Sequence, residues 1–309
     1  MNLLIVGLGS IAKKHIDAIN KLKIDCSIFA LRSSKNYEKY PGVFDLFNLD
    51  ECDIKFDFAI ISNPTISHEV TIKKLLSKKI PLFIEKPPVS SLKNIDELNL
   101  IIKRESILTY VACNLRFHPC IKFIKKFLSI ETNKIINEVN IYCASYLPDW
   151  RPNQNYKLSY SSKKELGGGV HLDLFHEFDY SVWLFGKPKD VFSVKRNNSH
   201  LNISSYDFAN YILIYEKFAV NMVLNYYRRD AKRVIEIVFE DGTYLIDLIK
   251  NKITDDKDNI IFQADASFSI LTTYKNQMQY FINLIQNKTE SMNTFADSIE
   301  ALKICLHDE

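Results

Sequence analysis

Asp173, His176 and Glu177 stand at positions i, i+3 and i+4 of the run "GGGVHLDLFHEFDY", residues 167–180. On a helix that spacing puts all three on one face. Two carboxylates beside an imidazole suit either a cation or a proton transfer. A cation site asks for more ligands than the run holds: His171 and His176 are five apart and diverge, the H-E-x-x-H spacing for zinc is absent, and no cysteine stands nearby. No metal is therefore expected. Proton transfer needs only what is present, because an imidazole titrates near neutrality and works as acid or base. His176 is the candidate to exchange a hydroxyl proton, and Asp173 would orient its ring or bond a neighbouring hydroxyl. The plain alternative is a polar helix face with a satisfied histidine.

Three other stretches carry chemistry. Gly7, Gly9 and Ala12 form G-x-G-x-x-A in "LLIVGLGSIA". Directly after a strand and at a helix start, this spacing lets a pyrophosphate approach the backbone and rest on the free amides of Ser10, Ile11 and Ala12. A glycine turn without a ligand is the alternative. "PLFIEKPPVSS" ends in Glu85-Lys86-Pro87, where a lysine at a strand end can present its ammonium to a substrate oxygen. Finally, "SYLPDWRPNQNYKLSYSSKKE" (145–165) is rich in aromatic, amide and basic side chains. Trp150 and Tyr156 offer ring faces for a sugar, and Arg151 and Lys157 suit a carboxylate or phosphate.

The elements that must position these groups follow from periodicity. "NLLIVGLG", "IDCSIFALR", "FDFAIIS", "PLFIEKP" and "LTYVACN" are short apolar runs separated by amphipathic stretches of helical period. Strands alternating with helices at this spacing predict a doubly wound parallel sheet, assigned to residues 1–118. The second run ends in Leu31-Arg32-Ser33-Ser34 and carries no Asp or Glu to accept the ribose 2′-hydroxyl. Arg32 and Ser33 thus favour a 2′-phosphate, hence NADP over NAD. From 119 to 309 the rhythm changes to longer alternating runs such as "FAVNMVLNYY", with a hairpin signal at Asp241-Gly242 and two closing helices. This part reads as an α+β domain on a largely antiparallel sheet.

Composition excludes whole classes of partner. The 40 Lys and Arg exceed the 37 Asp and Glu by three, too little for a nucleic-acid or membrane surface. The six cysteines include no C-x-x-C pair and read as reduced thiols of a cytoplasmic protein. No apolar run approaches membrane-spanning length, and the amino-terminal one is too short for a signal peptide.

Taken in order, the G-x-G-x-x-A loop, "ISNPTISH" (61–68), "EKP" (85–87), "NLRFHP" (114–119) and "GGGVHLDLFHEFD" (167–179) resemble the Gfo/Idh/MocA oxidoreductases, over essentially the whole chain. The resemblance implies a Rossmann domain followed by an α+β domain whose open sheet forms homodimers or homotetramers. It implies hydride transfer between NAD or NADP and a sugar or cyclitol carbon. By position, Asn63, Pro64 and His68 would line the cofactor, and Glu85 and Lys86 would reach its nicotinamide ribose. Lys86 would also hold the reacting oxygen, and Asn114 and Arg116 would meet nicotinamide and substrate. One departure matters: many members place the Asp and His four apart, whereas Glu177 takes that position here, leaving open whether His176 or Glu177 meets the substrate. The 145–165 loop is similar to that of members associated with bacterial surface-glycan sugars, implying an amino sugar, nonulosonic acid or nucleotide-linked sugar. A non-catalytic dinucleotide-binding scaffold and a redox-neutral enzyme that recycles its cofactor are the alternatives.

Overall fold

The computed structural model describes residues 1–34, 39–50 and 52–309. They form two compact units, Met1–Asn114 with Ser269–Ile299, and Leu115–Phe268 with Glu300–Glu309.

The first unit is built on a six-stranded parallel sheet. Its elements are β1 (Asn2–Val6), α1 (Ser10–Lys21), β2 (Ser27–Leu31), β3 (Val43–Leu46), β4 (Phe58–Ile61), α2 (His68–Leu76), β5 (Leu82–Glu85), α3 (Ile95–Arg104) and β6 (Thr109–Ala112). The strand order is β3-β2-β1-β4-β5-β6. Strands β4, β5 and β6 are buried at every position, which is why they read as unbroken apolar runs. Register aligns the carboxyl ends: Val6 stands opposite Leu31 and Ile61, and Ile84 opposite Ile61 and Val111. Arg32, Gly7, Ser62 and Lys86 therefore leave the sheet at one edge, and the order reverses between β1 and β4, where ligands bind in such folds. Helix α1 buries Ala12, His15, Ile16, Ala18 and Ile19.

The second unit contains α4 (Pro119–Ile130), β7 (Ile136–Tyr146), α5 (Val170–Asp173), α6 (His176–Phe185), β8 (Asp190–Arg196), β9 (Phe208–Ile214), β10 (Ala219–Asn225), β11 (Tyr227–Phe239), β12 (Gly242–Asp247), β13 (Lys252–Thr254) and β14 (Ile260–Gln263). Its eight strands run β14-β13-β12-β11-β7-β10-β9-β8, antiparallel except that β10 pairs β7 in parallel. Val220, Met222 and Leu224 on β10 are fully buried, each contributing roughly 2 kcal/mol of apolar burial. Helices cover that face. Phe178 of α6 meets Tyr211 of β9 at 4.8 Å, and Phe127 of α4 meets Phe239 at 5.7 Å. The other face leaves Phe192, Val194, Ile212 and Leu245 exposed. The hairpin forms where Asp241-Gly242 signals it, Phe239 pairing Gly242.

Two features differ from the sequence reading. Strand β3 was not foreseen, because it is a short edge strand whose Phe44 is 60% exposed. The units are also not contiguous, whereas the patterns put a single boundary at 118. The closing helices are α7 (Ile270–Asn287) and α8 (Phe295–Cys305), and α7 lies along α1. Its Phe281 ring sits 5.6 Å from Phe58 and 5.3 Å from Phe83, so this segment completes the first core.

Candidate functional site

The β1–α1 loop has the form a pyrophosphate requires. Gly7 has φ +85°, and a Cβ there would lie 2.6 Å from the Asn63 Cα, so only glycine lets the two loops approach. Ser62 fixes the crossing by donating to the Gly7 carbonyl at 2.8 Å. Helix α1 begins at Ser10 after Gly9, with no side-chain cap and no acid in its first turn. Its first-turn amides at Ser10, Ile11 and Ala12 thus carry the partial positive charge of a helix N-terminus with no acid of their own turn beside it. Asn63 donates to Thr71 at 2.8 Å, while its buried Oδ1 meets no hydrogen-bond donor among the described residues. An anionic, hydroxyl-rich dinucleotide fits both features. Ser33 and Pro64 are exposed on the same edge. Arg32 is not a free cation: its Nη1 lies 3.6 Å from Oδ1 of Asp45 on β3.

The Glu85-Lys86 turn is braced from beneath. Nε2 of buried His15, on α1, lies 2.5 Å from Glu85 Oε1, and Glu85 Oε2 accepts from the Lys86 amide at 3.2 Å. Lys86 itself is half-buried. His68 was expected to line the cofactor; it is instead enclosed. Its Nδ1 faces the carbonyls of Pro87 and Pro88 at 3.1 and 3.2 Å, and its Nε2 faces that of Asn63 at 2.9 Å. Burial holds its pKa below the ordinary imidazole value. It is a strut between the β4 and β5 loops. Asn114 is likewise buried, its amide donating to Thr273 of α7 at 2.6 Å.

In the second unit, Asp173 ends α5 and accepts from the hydroxyls of Tyr160, at 2.7 Å, and Tyr226, at 2.5 Å. The Asp173 charge, followed by burial, drives the Tyr160 pKa up, and burial followed by Asp173 does the same to Tyr226. Both phenols keep their protons and donate. Around them, Trp150 meets Tyr226 edge-on at 5.3 Å, and the Arg151 guanidinium lies 5.8 Å from the Tyr160 ring centre. His176 opens α6 and is half-buried. Asp173, Trp150 and Arg151 thus gather where the sequence reading put substrate groups, and Tyr160, 44% exposed, joins them unforeseen.

Three expected substrate residues, Glu177, Arg116 and Tyr156, are held in other contacts. Glu177 is fully buried and paired with Arg233 through two bonds of 2.7 and 3.0 Å, so it offers no surface to a substrate. Arg116 is 4% exposed and grips Asp179 at 2.8 and 2.9 Å. Tyr156 donates to the Leu201 carbonyl at 3.1 Å, and Lys157 is exposed on the same turn. Of the three consecutive glycines, Gly168 is required by packing. A Cβ on Gly168 would lie 2.1 Å from the Tyr160 carbonyl oxygen, so this glycine seats the turn that carries Tyr160.

His15, Asp45, Tyr160 and Tyr226 were not singled out from sequence. The available signal was a polar side chain inside an apolar stripe, as for His15 among Ala12, Ile16 and Ile19, since a buried imidazole demands a partner.

Residues 1–112 match the oxidoreductase family with an NAD-binding Rossmann fold, and residues 133–245 match the GFO/IDH/MocA C-terminal domain. The uncharacterized oxidoreductase YrbE of Bacillus subtilis is 26% identical over 233 residues, 72% of this chain and 65% of that protein. The scyllo-inositol 2-dehydrogenase (NADP+) IolU of Bacillus subtilis is 27% identical over 266 residues, 81% of this chain and 76% of that protein. The chain therefore spans just under two thirds of the first relative and about three quarters of the second. Among solved structures, UDP-N-acetylglucosamine 3-dehydrogenase GnnA from Acidithiobacillus ferrooxidans has a TM-score of 0.77, covering 99% of this chain and 95% of that one at 16% identity. That likeness is one of fold.

Proposed function

Since the chain belongs to the Gfo/Idh/MocA family of oxidoreductases, we propose that it moves hydride between a nicotinamide dinucleotide and a secondary alcohol or ketone of a sugar. The bound dinucleotide supplies the hydride acceptor or donor. Gly7, Gly9 and the amides of Ser10, Ile11 and Ala12 hold its pyrophosphate; Asn63, Pro64, Glu85 and Asn114 are assigned to the rest of it. Lys86 stabilises negative charge developing on the reacting oxygen, and His176 exchanges the hydroxyl proton. Asp173 anchors the Tyr160 and Tyr226 hydroxyls and so shapes the surface beside His176.

The observation that carries the substrate class is the cluster of Asp173, Tyr160, Trp150 and Arg151, which joins ring faces to hydrogen-bonding groups and a cation. Rings and polar forks suit a pyranose, and the guanidinium suits an acidic substituent. We therefore favour an amino sugar, a nonulosonic acid or a nucleotide-linked sugar. A panel of these, with neutral sugars and inositols beside them, should give reduced or oxidised nicotinamide with at least one acidic or nucleotide-linked member. Cofactor binding without turnover of any member would replace this reading by a scaffold. Product formed without net change in nicotinamide absorbance would replace it by a redox-neutral step. The open sheet face bearing Phe192, Val194, Ile212 and Leu245 is assigned to self-association.

A further inference from the structure

Strand β11 parts from β7 at its amino end. Tyr227 pairs with Tyr146 and Lys232 with Ala144, so five steps along β11 match two along β7 and the chain between them bulges out. The bulge reads Arg228-Arg229-Asp230-Ala231. Such bulges re-aim side chains beside functional sites. Tyr226, which leads into it, donates its hydroxyl to Asp173 and accepts at its carbonyl from the Leu147 amide at 2.8 Å. Trp150 meets the Tyr226 ring and donates to the Ser145 hydroxyl at 2.8 Å, one residue before Tyr146. The bulge therefore borders the cluster of Asp173, Tyr160, Trp150 and Arg151.

Two tyrosine rings hold three cations there. The Arg229 guanidinium lies 3.7 Å from the Tyr146 ring centre, and the His200 ring is 6.0 Å from the same ring. Arg228 and Lys232 each lie 5.2 Å from the Tyr142 ring centre, and Asn225 fixes that ring by donating to its hydroxyl at 3.0 Å. Stacking orders a guanidinium and leaves its N–H edge for a ligand. Asp230 pairs with Arg228, but neither Arg229 nor Lys232 has a carboxylate within ion-pair distance among the described residues. The next arginine, Arg233, is matched by Glu177. Two positive charges thus stand together unmatched, one more than a sugar carboxylate would neutralise. A diphosphate diester carries two, on oxygens that fit a guanidinium fork.

We propose that the β11 bulge is an anion subsite at the border of the sugar site, with Arg229 and Lys232 taking the diphosphate of a nucleotide-linked sugar. The inference rests on the sugar-oxidoreductase reading above and narrows its substrate class, setting the free nonulosonic acid aside.

Calorimetric titration of the full chain with UDP, uridine and N-acetylneuraminate tests this, with NAD saturating so that the glycine loop is occupied. Wild type is expected to bind UDP at least tenfold more tightly than either of the others. Arg229→Ala and Lys232→Ala should each weaken UDP by about tenfold and leave the Kd for NAD unchanged, while Lys126→Ala, at an exposed position on α4, should alter neither. UDP affinity equal to wild type in the Arg229→Ala, Lys232→Ala double variant overturns the proposal. So does an equal loss in Lys126→Ala, which would mark general charge attraction, or a wild type that prefers N-acetylneuraminate. Failure of wild type to bind NAD removes both this inference and the reading beneath it, whereas NAD binding without UDP binding removes this inference alone.

Discussion

Lys86→Ala and His176→Ala are each expected to lower turnover by about a hundredfold or more, with the dinucleotide Kd preserved. Steady-state rates beside calorimetric titration separate the two effects, and full activity in both variants would reject the proton-transfer assignment. The tyrosines that hold Asp173 differ in a measurable way. Tyr226 is fully buried, so Tyr226→Phe removes a donor that solvent cannot replace, at a cost of about 2 kcal/mol. Tyr160 is 44% exposed, and water can substitute in Tyr160→Phe. Urea denaturation should rank the two in that order; equal losses would contradict the burial argument. At this scale the sequence exposes residue types and local spacing, and the assignments of Gly7, Lys86, Asp173 and His176 rest on these. It does not expose pairing. The spacing groups Glu177 with Asp173 on one helix, yet the two stand on separate helices, α6 and α5, and the partner of Glu177, Arg233, lies on distant β11; Arg116 and Asp179 are likewise paired across 63 residues of sequence.

Helix α4 shows how an element can carry a pH response. His118 precedes it as N-cap, its Nδ1 accepting from the Cys120 amide at 3.2 Å while Nε2 lies 3.1 Å from Asn251 Oδ1. That arrangement fits the neutral ring, and burial lowers the pKa from 6.5 to about 4. A folded value below the unfolded one means that protons favour unfolding. Its contribution is therefore complete above pH 6.5 and is lost as pH falls towards 4. Between pH 7 and 4.5 this one group should account for about 2–3 kcal/mol of lost stability. His118→Asn keeps a capping oxygen and should show a correspondingly smaller loss in urea melts at the two pH values; parallel losses would show that His118 does not titrate on unfolding. Elements were the most legible level of the sequence. Buried parallel strands announce themselves as apolar runs, and β10 by alternation, whereas β3 escaped because an exposed edge strand lacks both signals.

For the whole molecule, the uncovered sheet face makes the sharpest expectation. Phe192 and Ile212 are paired neighbours on β8 and β9, 57% and 40% exposed, and a protein leaves so contiguous an apolar surface mainly for a partner. Phe192→Asp with Ile212→Asp should convert a homodimer or homotetramer to monomer in light scattering after size-exclusion chromatography; a monomeric wild type would dismiss the assignment. This level was the least legible in the sequence, because no local pattern says which core a helix will join. Phe281 of α7 could have packed anywhere, yet it closes over Phe58 and Phe83. That placement also orders events on the ribosome. Residues 1–114 are synthesised first but lack the segment that seals their core, while Leu115–Phe268 emerges before Ser269–Ile299 does. The first unit translated therefore completes its core only after most of the second has been made.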